Sequence, residues 1–93
     1  MHRDSTQKVY NARWVIFTKW CCKHHIHSPD KVSVQDIARF MSHLRETRKL
    51  SGGSIANYVS SVATVRDVAM GTSLSKEPVI RGIIKGFKQH DLK

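Results

Sequence analysis

The stretch KWCCKHHIH, residues 19–27, sets two cysteines and three histidines within seven consecutive positions. Thiolates and imidazoles are the side chains a structural zinc ion takes. Such sites usually pair their ligands as C-x2-4-C and H-x3-5-H, and gather the pairs from two separate segments. On a helix Cys21 and His25 share a face, but Cys22 projects about 100° away. No second Cys or His cluster follows, since His43 and His90 stand alone. The spacing therefore predicts no metal site and no cofactor. Cys21 reads as a small hydrophobe, with His24, His25 and His27 at the end of its helix or in the loop beyond.

Other chemistry is equally hard to assemble. The seven acidic residues are scattered and offer no carboxylate pair. Gly52-Gly53-Ser54 lacks the lysine and spacing of a phosphate-cradling loop, and no nucleophile has a base at a suitable spacing. The expectation is a domain without catalytic activity of its own and without a small-molecule substrate.

Sixteen Lys and Arg against those seven acids give a formal charge of +9 and a pI near 10.1. That excess points to a polyanionic partner. The cations are spread through the periodic segments rather than blocked into a tail, so they decorate a folded surface. With 93 residues, 40% of them hydrophobic, the chain is expected to form one domain with one small core. The adjacent Cys21 and Cys22 close no useful disulfide loop. No apolar run approaches the roughly 18 residues of a membrane span, and the polar start MHRDSTQK is no signal peptide. An intracellular protein with no membrane partner is expected, in the nucleus or in the cytoplasm and nucleoid.

Four helices must position whatever binds, at about 6–23, 34–48, 52–70 and 77–89. Ser5 or Thr6 can cap the first, whose Tyr10, Trp14, Phe17 and Cys21 form an apolar stripe widened by Ile16 and Trp20. Ser28-Pro29-Asp30 breaks the chain. Ser33 with Asp36 resembles a capping box before Ile37, Phe40, Met41 and Leu44. In the third helix, capped by Ser51 and ended by Gly71, Ile55, Tyr58, Val59, Val62, Val65 and Ala69 trace the apolar face, while Ser54, Asn57, Ser61 and Thr64 make a small polar flank. The fourth carries Val79, Ile80, Ile83, Ile84 and Phe87, with Gly82 and Gly86 expected to permit close packing. Its outer face holds Arg81, Lys85 and Lys88, and its tail from Gln89 is expected to fray. With no strand signal, the fold class is all-α.

Taken in order, Y-N-x-R-W-x-x-F-x-x-W-C at 10–21, V-x-D-I-x-x-F-M-x-x-L at 34–44, L-S-x-x-S-I-x-x-Y at 50–58 and P-V-I-R-G-I-I-K-G-F at 78–87 form a familiar series. The chain resembles the core-binding domain of tyrosine recombinases. This is the SAM-like helical module of phage integrases, Cre-type recombinases and the recombinases of DIRS-like and Crypton-like mobile elements. The resemblance implies a compact four-helix orthogonal bundle that forms half of a clamp around double-stranded DNA. In the family, a separate catalytic domain completes the clamp and carries the nucleophilic tyrosine. No such domain is present here, so the chain is expected to be an excised or solitary module serving DNA recombination or integration. Tyr10 and Tyr58, both in core stripes, are not that nucleophile.

In Cre-type proteins the start of the first helix and the start and polar flank of the third enter the major groove. Carried over, this implies Ser5, Thr6, Lys8 and Val9, then Gly53, Ser54, Asn57 and Ser61. Asn57 would read an adenine and Ser54 position a phosphate, with Arg13, Lys49 and Arg66 adding phosphate contacts. Gly53 departs from the basic or bulky residue often found there, and leaves only backbone to make a contact. The resemblance also implies an alternative: the fourth helix docks another recombinase protomer, making the chain a protein-interaction module.

Overall fold

The structure, a computed structural model, describes residues 4–92 and the side chains of residues 12–92. Its helices are α1 (Asp4–Lys23), α2 (Val34–Thr47), α3 (Gly52–Met70) and α4 (Pro78–Asp91), with short 3-10 turns at Pro29–Lys31 and Leu74–Lys76. The described residues are all-α. α1 starts ahead of Ser5 and Thr6, which therefore lie inside the helix rather than at its cap. α4 runs through the expected fraying point to Asp91. No described helix is long and apolar enough to cross a membrane.

Local chemistry sets most of these boundaries. Ser33 Oγ accepts the Asp36 N–H at 3.1 Å and starts α2, while the Asp36 carboxylate turns to Arg39 at 3.0 Å. Ser51 Oγ accepts the Ser54 N–H at 3.2 Å and starts α3. Gly71, at φ 66°, closes that helix with its N–H on the Asp67 carbonyl.

The histidine-rich segment is the terminus of α1. His25 stands in the left-handed region at φ 60°. The Ile26 N–H returns to the Cys21 carbonyl at 2.9 Å and the His25 N–H to the Cys22 carbonyl at 3.3 Å. This pair of bonds is a Schellman ending, with an imidazole where glycine is usual and Ile26 folded back against the core.

The core has an aromatic half and an aliphatic half. Phe17 and Trp20 of α1 meet Phe40 of α2 at ring-centre distances of 4.9 and 5.3 Å, in tilted and edge-on arrangements that suit their quadrupoles. Ile37, Met41 and Leu44 continue this layer, and Ile55, Val59, Val62, Leu74 and Ile80 form the aliphatic side. α3 is the axle. It packs against each of the other helices and both 3-10 turns.

Two expected faces are corrected. On α3 the buried stripe leaves Val62 through Ala63 to Arg66, while Val65 and Ala69 are exposed. On α4 only Ile80 is fully buried, Ile83, Ile84 and Phe87 are half-buried, and Val79 is 54% exposed. Gly82 and Gly86 face open space, with nothing within 4 Å of an added Cβ. Close packing falls instead on Gly52, where a Cβ would lie 2.8 Å from the Lys88 backbone nitrogen. Only a glycine lets the start of α3 approach the end of α4 so closely.

Candidate nucleic-acid interface

The side chains of Ser5, Thr6, Lys8 and Val9 lie outside the described residues. Of the remaining expected contacts, five are at least partly open to solvent. Gly53 and Asn57 are exposed and Ser54 half-buried on α3, and Lys49 is exposed just before it. Arg13 of α1 joins them by placing its guanidinium over the Tyr58 ring, 5.9 Å from the centroid. That cation–π contact holds a positive charge beside the polar flank without consuming its hydrogen-bond donors.

Ser61 and Arg66 do not belong to this surface. Ser61 is 3% exposed, and its hydroxyl donates to the Asn57 carbonyl at 3.2 Å. Ser61 shares the helix face of Ser54 and Asn57, so its burial comes from packing farther along α3 and not from rotation of the helix. Arg66 is 4% exposed; its Nε donates to the Val32 carbonyl at 2.7 Å and its Nη1 reaches Thr72 Oγ1 at 3.4 Å. It ties the loop before α2 to the end of α3, and no phosphate can reach it there. The contact spans 34 positions of sequence, so helical periodicity gave no signal of it.

Two exposed residues outside the expected contacts complete the α3 surface, Thr64 of the polar flank and Ser60. Ser60 and Thr64 share a face with Gly53 and Asn57, because all four lie within about 60° of one another at 100° per residue. The Thr64 hydroxyl donates to the Ser60 carbonyl at 3.0 Å. The strip from Gly53 to Thr64 contains no carboxylate. Its small side chains would let a base edge or a phosphate come near the helix backbone.

The start of α3 is braced from α2 and α4. Arg45 donates to the Leu50 carbonyl at 3.1 Å and to Asp91 Oδ1 at 2.7 Å, and its guanidinium stacks over Phe87 at 4.8 Å. Asp91 Oδ2 accepts the Gly52 N–H at 2.8 Å. The hydrogen bond from Arg45, then that from Gly52, holds the Asp91 carboxyl below the ordinary carboxylate range. Asp91 is thus a structural cap, where the sequence suggested a loose tail.

At the end of α1, the His24 ring packs tilted against Trp20 with centres 4.4 Å apart, Cys22 is exposed, and Cys21 is fully buried. Burial, reinforced by the nearby Asp36 charge, pushes the Cys21 thiol up to about 11, so it is protonated at neutral pH and a poor nucleophile or ligand. Among the described residues, no three His, Cys, Asp or Glu side chains gather as a metal would require.

Comparison with known proteins finds no family model, no curated protein and no solved structure that matches the chain.

Proposed function

We propose that this chain is a non-catalytic module that binds double-stranded DNA, with the SAM-like orthogonal arrangement of a tyrosine recombinase core-binding domain. It would act in the nucleus or nucleoid, wherever the parent recombinase meets its site. The observation that carries this reading is the exposed strip Gly53, Asn57, Ser60 and Thr64, free of acids and flanked by Arg13, on a chain of formal charge +9. Small polar side chains suit close approach to a groove, and flanking cations suit the phosphates at its edges. Asn57, exposed near the middle of the strip, is the residue best placed to read a base.

The test is a salt titration of binding to duplex DNA. The logarithm of affinity should fall linearly with the logarithm of salt concentration as phosphate contacts release counterions. Asn57→Ala should weaken a preferred sequence by about 1–3 kcal/mol and change non-specific duplex little. Binding that is undetectable near 50 mM salt, or indifferent to salt, would sink the proposal.

A second reading rests on the open face of α4. The exposed Gly82 and Gly86 line a groove of about 480 Å³ between α2 and α4, together with Ser42, Ile83 and Phe87. A neighbouring protomer docking there would make the module an assembly element as well. The two roles use different faces and are compatible.

A further inference from the structure

We infer that Arg81, Lys85 and Lys88 of α4 form a phosphate-contacting ridge that borders the α3 strip on the side opposite Arg13. This rests on the DNA-binding reading and extends its surface to an element not otherwise assigned to it. All three side chains are exposed. At 100° per residue they lie within about 60° of one another, and their seven-residue span covers about 10 Å, the axial length of roughly three phosphates on one strand.

The position of the ridge carries the inference further than its charge. Ile84 lines a groove of about 440 Å³ with Ser60 and Thr64 of α3, and it also lines a hollow of about 340 Å³ with Arg81, Lys85 and Lys88. One side chain therefore separates the cations from the polar strip. At the other end of the ridge, Lys88 Cγ lies 2.9 Å from where a Gly52 Cβ would be, beside the start of α3. The ridge runs antiparallel to α3 along part of the exposed strip.

Nearby acids do not neutralise it. Asp91 is committed to Arg45 and Gly52. Asp67 lies at the far end of the α3–α4 groove, where its carboxylate accepts the Leu74 N–H at 2.9 Å. Glu77 stands one turn ahead of Arg81, at a spacing where the two could pair, but forms no ion pair with it. Among the described residues the ion pairs are Arg39–Asp36 and Arg45–Asp91, neither of which involves the ridge. A strip of small polar residues between Arg13 and a cationic ridge matches a groove floor between two phosphate backbones. The partner of the ridge is the strand on the α4 side of the duplex.

Two triple variants separate this from a general charge effect. Arg81→Gln/Lys85→Gln/Lys88→Gln removes the ridge. Lys19→Gln/Lys23→Gln/Lys31→Gln removes the same charge from other exposed sites. Each is compared with the unaltered chain in salt-titrated anisotropy on duplex DNA, after circular dichroism and a thermal melt establish that it is folded. The ridge variant should lower the magnitude of the log–log salt slope by roughly 2 to 3, at about 0.9 per phosphate contact, and the control variant by less than 1. Equal losses in the two variants, or an unchanged slope in the ridge variant, overturn the ridge and leave the α3 reading standing. If the ridge variant loses slope while Asn57→Ala and Arg13→Gln are silent, the ridge stands and the α3 reading falls. An unaltered chain that shows no salt-dependent binding removes both.

Discussion

The two ends of α3 are each fastened by an arginine, in opposite ways. At the C-terminal end Arg66 is enclosed, and spends its guanidinium on the neutral acceptors Val32 O and Thr72 Oγ1. At the N-terminal end Arg45 is partly open to water, stacks on Phe87, and shares Asp91 with the first amide of the helix. Burying a guanidinium without a carboxylate is costly, so Arg66 is retained only if its donors close backbone that would otherwise be left unsatisfied. Arg45 pays less for its position, and its contacts respond to solvent conditions. Formal charge therefore overstates what a polyanion can use, since neither arginine is available to one.

The dry end should give the largest effect. Arg66→Ala is expected to destabilise the fold by about 3 kcal/mol, from a lost hydrogen bond, an unpaired Val32 carbonyl and the space left behind. Urea unfolding measures this directly. After correction for the folded fraction, the salt slope of DNA binding should be unchanged. A variant of ordinary stability with a reduced slope would return Arg66 to the phosphate surface and erase the contrast between the two ends.

At the wet end a glycine sets how closely α3 and α4 approach. Gly52→Ala sets a methyl against the backbone of Lys88, which cannot swing aside as a side-chain tip would, so a loss of about 1–3 kcal/mol is expected as α3 and α4 separate. Gly82→Ala and Gly86→Ala meet nothing. Each should stabilise α4 by about 0.5–1 kcal/mol, the ordinary gain of alanine over glycine inside a helix. Thermal melts of the three single variants test the assignment. A neutral Gly52→Ala would mean that the α3–α4 junction is looser than its hydrogen bonds suggest.

These cases show what was legible in the sequence. The four helices, the Ser33 and Ser51 caps and the Gly71 ending followed from short-range patterns, because each depends on residues within one or two turns. The aromatic stripe of α1 and the apolar stripe of α2 could be read for the same reason. The buried face of α3 was harder, because its last inward position is an arginine and apolar Val65 and Val68 point outward. Which glycine needs to be small also depends on contacts across 36 positions, from Gly52 to Lys88. Of the candidate surface, Ser54, Asn57 and Thr64 came from the polar flank and Gly53 from the family resemblance, but Ser60 emerges only from the burial of its neighbours and the α4 ridge only once α4 is known to lie antiparallel beside α3.

The smallest effect is the most specific to the wet end. The Asp91 carboxyl is held below its ordinary value of about 3.9 by Arg45 and by the Gly52 amide. As pH falls, the unfolded chain takes up this proton before the folded chain does, so the contribution of Asp91 to stability is full above the unfolded value and drains away as pH drops through the folded one. Asp91→Asn cannot accept from both Arg45 and Gly52 through carboxylate oxygens, and should be less stable than the unaltered chain at neutral pH. The gap between the two urea midpoints should narrow from pH 6 toward pH 3, because other acids titrate in both chains and cancel. Placing His90→Gln in both chains removes the ring whose Nδ1 lies 3.2 Å from Arg45. A gap that stays constant across this range would mean that Asp91 braces α3 by shape rather than by charge, and the two ends would then differ only in how deeply their arginines are buried.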